Sequence, residues 1–346
     1  MLGNDAAALA REPEDTVLRI GPLQLANRVI LAPMSGVTDA VLRRIARRCG
    51  AGLVISEMVA SDRLAAGDEE ARLRAEGPGG GLHVVQLAGC DARWMGEAAR
   101  VAVGSGADVI DINMGCPAKR VTGGWSGSAL MRDLDHALTL VDATVSAVSV
   151  PVTVKMRLGW DETSLNAPEL ARRAEHAGAA MITVHGRTRM QFYKGRADWG
   201  AIRAVKQAVT IPVVANGDCR DLSDALAMLQ HSGADAVMVG RAAQGQPWLP
   251  GHLARELAAG HALPAPSAQA QKELALEHYE GLLGLYGSRQ GVRHARKHLA
   301  SAMDTARARF GGGREALRHA ALTGEDPGAV AENFIAFFAS LERMAA

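Results

Sequence analysis

Aromatic residues make up only 4% of the 346 positions, the four cysteines form no CxxC pair, and the charges cancel almost completely. Each deficit excludes something. Cys49, Cys90, Cys116 and Cys219 lie far apart, which argues against a disulfide framework or a zinc knuckle, so a special cysteine must act alone. A formal net charge of +1 gives no global pull on nucleic acid, and an RNA partner would have to meet a local patch. No apolar run approaches membrane-spanning length. Residues 1–16 carry Asp5, Glu12, Glu14 and Asp15 without the apolar core of a secretory signal. They read as a disordered or extended tail on a cytoplasmic protein with no membrane partner.

Glycine, by contrast, is abundant at 38 residues, with 48% apolar and 22% charged residues, a balance that suits turn-rich α/β architecture. The length predicts one large domain and a smaller one. Short β-branched runs fall at 28–33, 52–57, 82–88, 107–113, 151–157, 179–185, 211–216 and 235–240. Between them, segments such as 38–49, 91–104, 132–148, 167–177, 198–208 and 221–231 place apolar residues at helical spacing. Eight strand–helix units predict a (β/α)8 TIM barrel over 17–257. An open doubly wound sheet is the rival, disfavoured by the number of units and by the lack of GxGxxG after an early strand. A repeat supports the barrel: CGAGLVI, SGADVID, AGAAMIT and SGADAVM each set Gly-Ala before an apolar run. Gly50, Gly106, Gly178 and Gly233 are expected to end the preceding helices in a left-handed conformation.

Strand signals stop after Trp248. Residues 258–270 read as a linker, and 271–346 as a small helical domain of roughly three to five helices. Within 289–318 stand eight Lys/Arg against two acids, either a solvated face or a phosphate-binding surface. His294 and His298 are four apart on a helix, but no carboxylate or further His sits at ligand spacing, so no metal is expected.

Working residues of such barrels project from the C-terminal strand ends. Here these ends read Ala32-Pro33-Met34, Val85-Gln86-Leu87, Asp111 to Pro117, Val154-Lys155-Met156-Arg157, Val184-His185-Gly186-Arg187, Ala215 to Asp218 and Val239-Gly240-Arg241. This ring suits a large anionic cofactor, with Asn216-Gly217-Asp218 and Gly240-Arg241 where barrels commonly bind phosphate. Lys155, on an otherwise apolar strand, could form a Schiff base, set a positive charge beside a flavin, or make a structural ion pair. His185 and Arg187, two apart, point the same way. Cys116 alone among the cysteines follows a strand end and precedes a Gly-rich loop, Thr122 to Gly127.

The segments APMSGVTD (32–39), SEM (56–58), VQLAG (85–89), DINMGCPAKRV (111–121), VKMRLGW (154–160), TVHGRTRMQFYKGRADW (183–199), ANGD (215–218) and VGRAAQGQPW (239–248) together resemble the tRNA-dihydrouridine synthase family, most of all its bacterial B-type subgroup. The resemblance is close over roughly 20–250 and looser beyond. It implies FMN held by Pro33, Met34, Ser35, Gln86, Lys155, His185, Asn216, Gly217, Asp218, Gly240 and Arg241, which assigns Lys155 to the flavin. NADPH, with NADH as the alternative donor, would reduce FMN. Hydride would then reach C6 of a flipped-out uracil in tRNA while Cys116 protonates C5. Asn113, Arg157, Arg187, Arg293, Arg296 and Lys297 would bind the RNA, and no obligate protein partner is expected. A thiol retains its proton at neutral pH and can serve as that acid. Many relatives carry a second cysteine soon after the first, where this chain has Thr122. RKHLASAM (296–303) lacks their aromatic pair. Ribosomal RNA as substrate, a small-pyrimidine dehydrogenase and a noncatalytic RNA-binding protein are the competing readings.

Overall fold

The computed structural model describes residues 18–342, so the tail expected over 1–16 lies outside the described residues, as do the last four of the 271–346 region. A short hairpin, β1 (Arg19–Ile20) and β2 (Leu23–Gln24), comes first. Eight parallel strands then close into a barrel: β3 (Val29–Leu31), β4 (Leu53–Ala60), β5 (Val84–Ala88), β6 (Val109–Met114), β7 (Val152–Arg157), β8 (Met181–His185), β9 (Val213–Asn216) and β10 (Ala236–Val239), the last pairing back onto β3. All eight coincide with the predicted runs. β4 continues to Ala60 through a register shift between Ile55 and Met58.

Side chains alternate along each strand, which divides the barrel's residues between an outer and an inner set. Outward residues such as Leu31, Val54, Val85, Ile110, Val154 and Val184 pack against the helices. Inner residues at the strand starts (Ile30, Leu53, Val84, Val109, Met181, Val214, Ala236) form a separate cluster with Leu18, Ile20 and Leu25, so the hairpin closes the N-terminal end. Higher along the same inner rows the residues turn polar: Gln86, Asp111, Asn113, Thr153, Lys155, Thr183 and Asn216 are all buried. The apolar floor therefore carries a polar ceiling, and that ceiling faces the mouth.

The outer helices are α1 (Ala40–Arg48), α4 (Ala92–Gly104), α6 (Leu134–Ala147), α7 (Ala167–His176), α8 (Trp199–Ala208) and α9 (Leu222–Ser232), all near their expected positions. Aspartates cap five of the six: Asp39, Asp91, Asp133, Asp198 and Asp221 each accept backbone N–H bonds from the first turn. Two short helices after β4, α2 (Ser61–Ala65) and α3 (Glu69–Ala75), were not anticipated, and α5 (Lys119–Thr122) follows Cys116. Gly50, Gly106, Gly178 and Gly233 all take positive φ, from 65° to 104°, where a side chain would be strained.

α10 (Leu249–Ala259) stops at Gly260, and α11 (Ala268–Phe310) begins three residues before the predicted boundary, capped by Ser267. α11 breaks at Gly287, where φ is 73° and ψ 166°. With α12 (Glu315–Thr323) and α13 (Pro327–Glu342) it encloses its own core around Leu282, Leu299, Met303, Phe334, Phe337 and Phe338. Each fully buried Phe contributes about 2–3 kcal/mol relative to an exposed one. This helical unit seats on α1. A Cβ at Gly281 would collide with Val41, the Arg48 guanidinium bonds Glu277 at 2.7 Å, and His278 Nε2 meets Asp39 Oδ2 at 3.0 Å.

Candidate active site

Lys155 dominates the polar ceiling. Its ammonium donates to Asn216 Oδ1 at 3.1 Å, and that amide in turn donates to the Met238 carbonyl at 2.9 Å, which fixes which of its atoms is the oxygen. Two of the three ammonium N–H groups have no hydrogen-bond partner among the described residues. Burial, reinforced by Arg157, lowers its pKa from 10.5 to about 8, even though Asp111 and Cys116 act the other way. A buried ammonium with two unused donors is a receptor for an electron-rich ligand.

Cys116 follows the end of β6, and its own backbone is clamped. Asn113 Oδ1 accepts from the N–H of Gly115 at 3.2 Å and of Cys116 at 3.0 Å, while the Cys116 carbonyl accepts from Ser128 N at 3.1 Å and Oγ at 2.9 Å. Gly127, at φ 61°, closes the loop on Cys116: a Cβ there would lie 2.8 Å from the Cys116 oxygen and 2.9 Å from Val121 Cγ1. The thiol is half-buried. A cavity of about 520 Å³ opens beside this loop, lined among others by Ser35, Arg63, Arg74, Trp94, Arg120 and Ser126. Cys90 is exposed and also lines it; Cys219 is buried, its thiol pushed up to about 12 by desolvation.

The β8 end is built around Arg187, 1% exposed, which bonds the carbonyls of Lys194 and Gly195, the Asp218 carboxylate at 2.5 Å, and His185 Nε2 at 3.2 Å. Arginine only donates, so Nε2 of His185 must be the bare nitrogen and the ring neutral. Burial, and then the charges of Lys155, Arg157 and Arg187, likewise hold its pKa well below the ordinary value. Burial alone would raise Asp218, but bonds from Arg187 and the Ala197 N–H, with Arg241 nearby, lower it. Arg157 is bound to the carbonyls of Gly115, Thr188 and Phe192, each at 2.8 Å. Both arginines therefore hold the loops of the mouth. At the β9 and β10 ends, Gly217 has φ 121°, Asp218 φ 60°, and a Cβ on Gly240 would find only Ala32 and Met34 near 4 Å. Main chain at Gly240 is open to close approach by a ligand, whereas the space beside Gly217 is filled by Ala197 and His185.

The model of the family described as dihydrouridine synthase matches residues 30–339. The chain belongs to the dihydrouridine synthase family. As a member it is a flavin-dependent oxidoreductase whose product is dihydrouridine. A relative from Rhizobium leguminosarum, named probable tRNA-dihydrouridine synthase, is 56% identical over 80% of this chain and 85% of its own. A tRNA-dihydrouridine synthase B of Xanthomonas axonopodis is 49% identical over 82% and 85%. Among solved structures, histamine dehydrogenase from Rhizobium sp. aligns with TM-score 0.54 and 15% identity over 82% of this chain and 50% of its own, and an NCR variant from Zymomonas mobilis with 0.52 and 18% over 74% and 94%. At such identities these two attest the barrel fold.

Around the mouth of this dihydrouridine synthase the sequence reading missed an aromatic rim. Arg189 lies over Trp160 and Phe192, Arg241 and Arg157 over Tyr193, and Arg132 over Trp125 and Trp160. Trp125 and Tyr193 are 54% and 50% exposed. A chain poor in aromatics gathers several of them here, and that local enrichment was a usable signal. Of the basic residues on α11, Arg293 and Lys297 line a cavity of about 430 Å³ with Gln290 and His294. Lys297 Nζ reaches within 3.1 Å of where a Gly36 Cβ would stand, next to Ser35 at the barrel mouth. Arg296 gives one Nη2 bond to the Gly324 carbonyl at 3.2 Å. His298, paired in the sequence with His294, meets Asp39 and His278 instead, their potential ligand atoms all within 4.8 Å of one another. Burial would raise Asp39, but His278 brings it down to about 2.

Proposed function

We propose that this dihydrouridine synthase reduces uridines in tRNA with FMN as its flavin and NADPH as its reductant, and that Cys116 is the acid. The observation that carries the reading is the meeting, at two adjacent strand ends, of a buried ammonium with unused donors and a half-buried thiol. The relatives named for tRNA support the substrate.

FMN fits the donor set. The turn Pro33-Met34-Ser35, Gln86 and the bare-nitrogen His185 would face the ring system, Lys155 its electron-rich edge, and Asn216-Gly217-Asp218 with Gly240-Arg241 the phosphate. When bound, the flavin supplies hydride to C6 of the base. The new charge then spreads toward C5 and the neighbouring carbonyl, and Cys116 delivers its thiol proton to C5 from the loop that Asn113 and Ser128 fix. Lys155 keeps a positive charge beside the redox centre at neutral pH because about 8 still lies above it. Arg157 and Arg187 serve by fixing the loops that frame the base.

A uracil must leave its stack to reach this depth, at a cost of a few kcal/mol, which suits an RNA loop better than a duplex. Arg293 and Lys297 beside the mouth offer phosphate contacts that offset part of this, and exposed Trp125 and Tyr193 offer faces for stacking.

The test is mass spectrometry of RNA after incubating flavin-loaded wild type or Cys116→Ala with NADPH and unmodified tRNA. Dihydrouridine from wild type, reduced at least a hundredfold in the variant with its FMN retained, is the expected result. Equal product from Cys116→Ala would remove the thiol from the chemistry, and none from an NADPH-oxidising wild type would point to ribosomal RNA or a small pyrimidine.

A further inference from the structure

We infer that Asp111 is a positioning residue that sets the direction of a buried hydrogen-bond chain ending on the backbone of Cys116. The inference rests on the reading of Cys116 as the acid. Asp111 is fully buried on the inner face of β6. Its Oδ1 accepts from Thr153 Oγ at 2.6 Å and its Oδ2 from Gln86 Nε2 at 2.6 Å, both short in the manner of charge-assisted bonds.

A carboxylate accepts and a side-chain amide has one donating and one accepting end, so the order of donors along the chain is decided at Asp111. Because Asp111 takes the NH2 of Gln86, Gln86 must offer its oxygen to the next group. That oxygen receives Asn113 Nδ2 at 2.8 Å. With its NH2 so engaged, Asn113 presents its oxygen to the N–H groups of Gly115 and Cys116. Reverse the first link and the last is lost: Asn113 would aim NH2 at two backbone donors, and the loop bearing the thiol would be pushed away. Gln86 cannot hold this order alone, since its amide reads equally well when flipped; Asp111 fixes it at one end, and the Gly115 and Cys116 N–H groups fix Asn113 at the other.

The charge is maintained where it is needed. Burial raises Asp111 to about 6, against bonds from Thr153 and Gln86 and the charge of Lys155, so it remains ionised at neutral pH. The groups facing it are thus two neutral donors and one cation.

The isosteric Asp111→Asn removes the direction while retaining the shape, because an amide at this position can give Gln86 either end. The double variant Asp111→Asn/Asn113→Asp restores a single order by running the chain backwards. The new amide at position 111 would donate to the Gln86 oxygen, Gln86 would donate to the new carboxylate at position 113, and that carboxylate would accept from Gly115 and Cys116.

The experiment uses the flavin-loaded full chain and reads three things: flavin reduction by NADPH and flavin reoxidation by tRNA in stopped flow, and the rate of Cys116 alkylation by iodoacetamide. For Asp111→Asn we expect NADPH reduction within twofold of wild type, tRNA-dependent reoxidation slowed at least tenfold at saturating tRNA, and alkylation changed at least threefold. In the double variant, alkylation should return to within twofold of wild type. Wild-type alkylation and reoxidation in Asp111→Asn would overturn the inference. So would equal losses in both half-reactions with no recovery of alkylation in the double variant, which would make Asp111 a support of the whole site. Cys116→Ala in the same assay separates the two readings: if it reoxidises with tRNA like wild type, the acid assignment fails, whereas if it alone is slowed, only the role of Asp111 does.

Discussion

Replacing Lys155 by Met should stabilise the flavin-free protein while abolishing its hold on flavin. The ammonium is buried and its pKa falls from 10.5 to about 8. The folded protein therefore carries about 3 kcal/mol of unfavourable energy whenever Lys155 is charged, at 1.36 kcal/mol per pKa unit. Met fills similar space without the charge. It forfeits the bond to Asn216 Oδ1 and leaves that oxygen without its donor, which offsets about 1–2 kcal/mol. A net gain of about 1–2 kcal/mol is expected in urea unfolding of the flavin-free proteins at pH 7. The pH dependence has a definite sign. Between the folded value near 8 and the unfolded value of 10.5 the unfolded chain holds more protons, so wild-type stability rises with pH through that window. The variant has no such term, and by pH 10 its advantage should have vanished as the wild-type penalty shrinks to about 1 kcal/mol. FMN titration followed by fluorescence should show at least a hundredfold weaker binding. A variant no more stable than wild type at pH 7, or an advantage that persists at pH 10, would refute the reasoning.

Two further outcomes are expected. Gly127→Ala, strained at φ 61° and crowding the Cys116 oxygen and Val121, should lower dihydrouridine formation at least tenfold while FMN content and NADPH oxidation stay near wild type, as judged by mass spectrometry and absorbance. Arg293→Ala with Lys297→Ala should weaken tRNA binding and flatten the dependence of log K on log salt by about 1–2, measured by filter binding across a salt series, with thermal stability unchanged.

What the sequence disclosed and what it withheld follow the range of the forces involved. Strands and outer helices were legible because hydrophobic period and capping aspartates are local, and the four Gly-Ala repeats mark helix ends that any reader of the chain can find. The barrel mouth was legible as a set of strand ends. Its internal wiring was not. Arg157, Arg187 and Arg296 were expected as RNA contacts because an arginine near a site looks available; only the folded loops reveal that each also gives a bond to main chain, at the carbonyls of Gly115, Lys194 and Gly324. The orientation of the Gln86 amide depends on Asp111 and Asn113, which reach it from the neighbouring strand. His298 looked like half of a helical pair with His294, yet its neighbours are Asp39 and His278, brought to it by the docking of α11 on α1.

Asp39 has an unusual double duty. One carboxylate oxygen ties down the first turn of a barrel helix through Leu42 N, and the other receives His278 from the helical unit. A single side chain is thus written into the folding instructions of two bodies at once. Loss of this one carboxylate would therefore uncap the barrel helix and unfasten the helical arm in a single step.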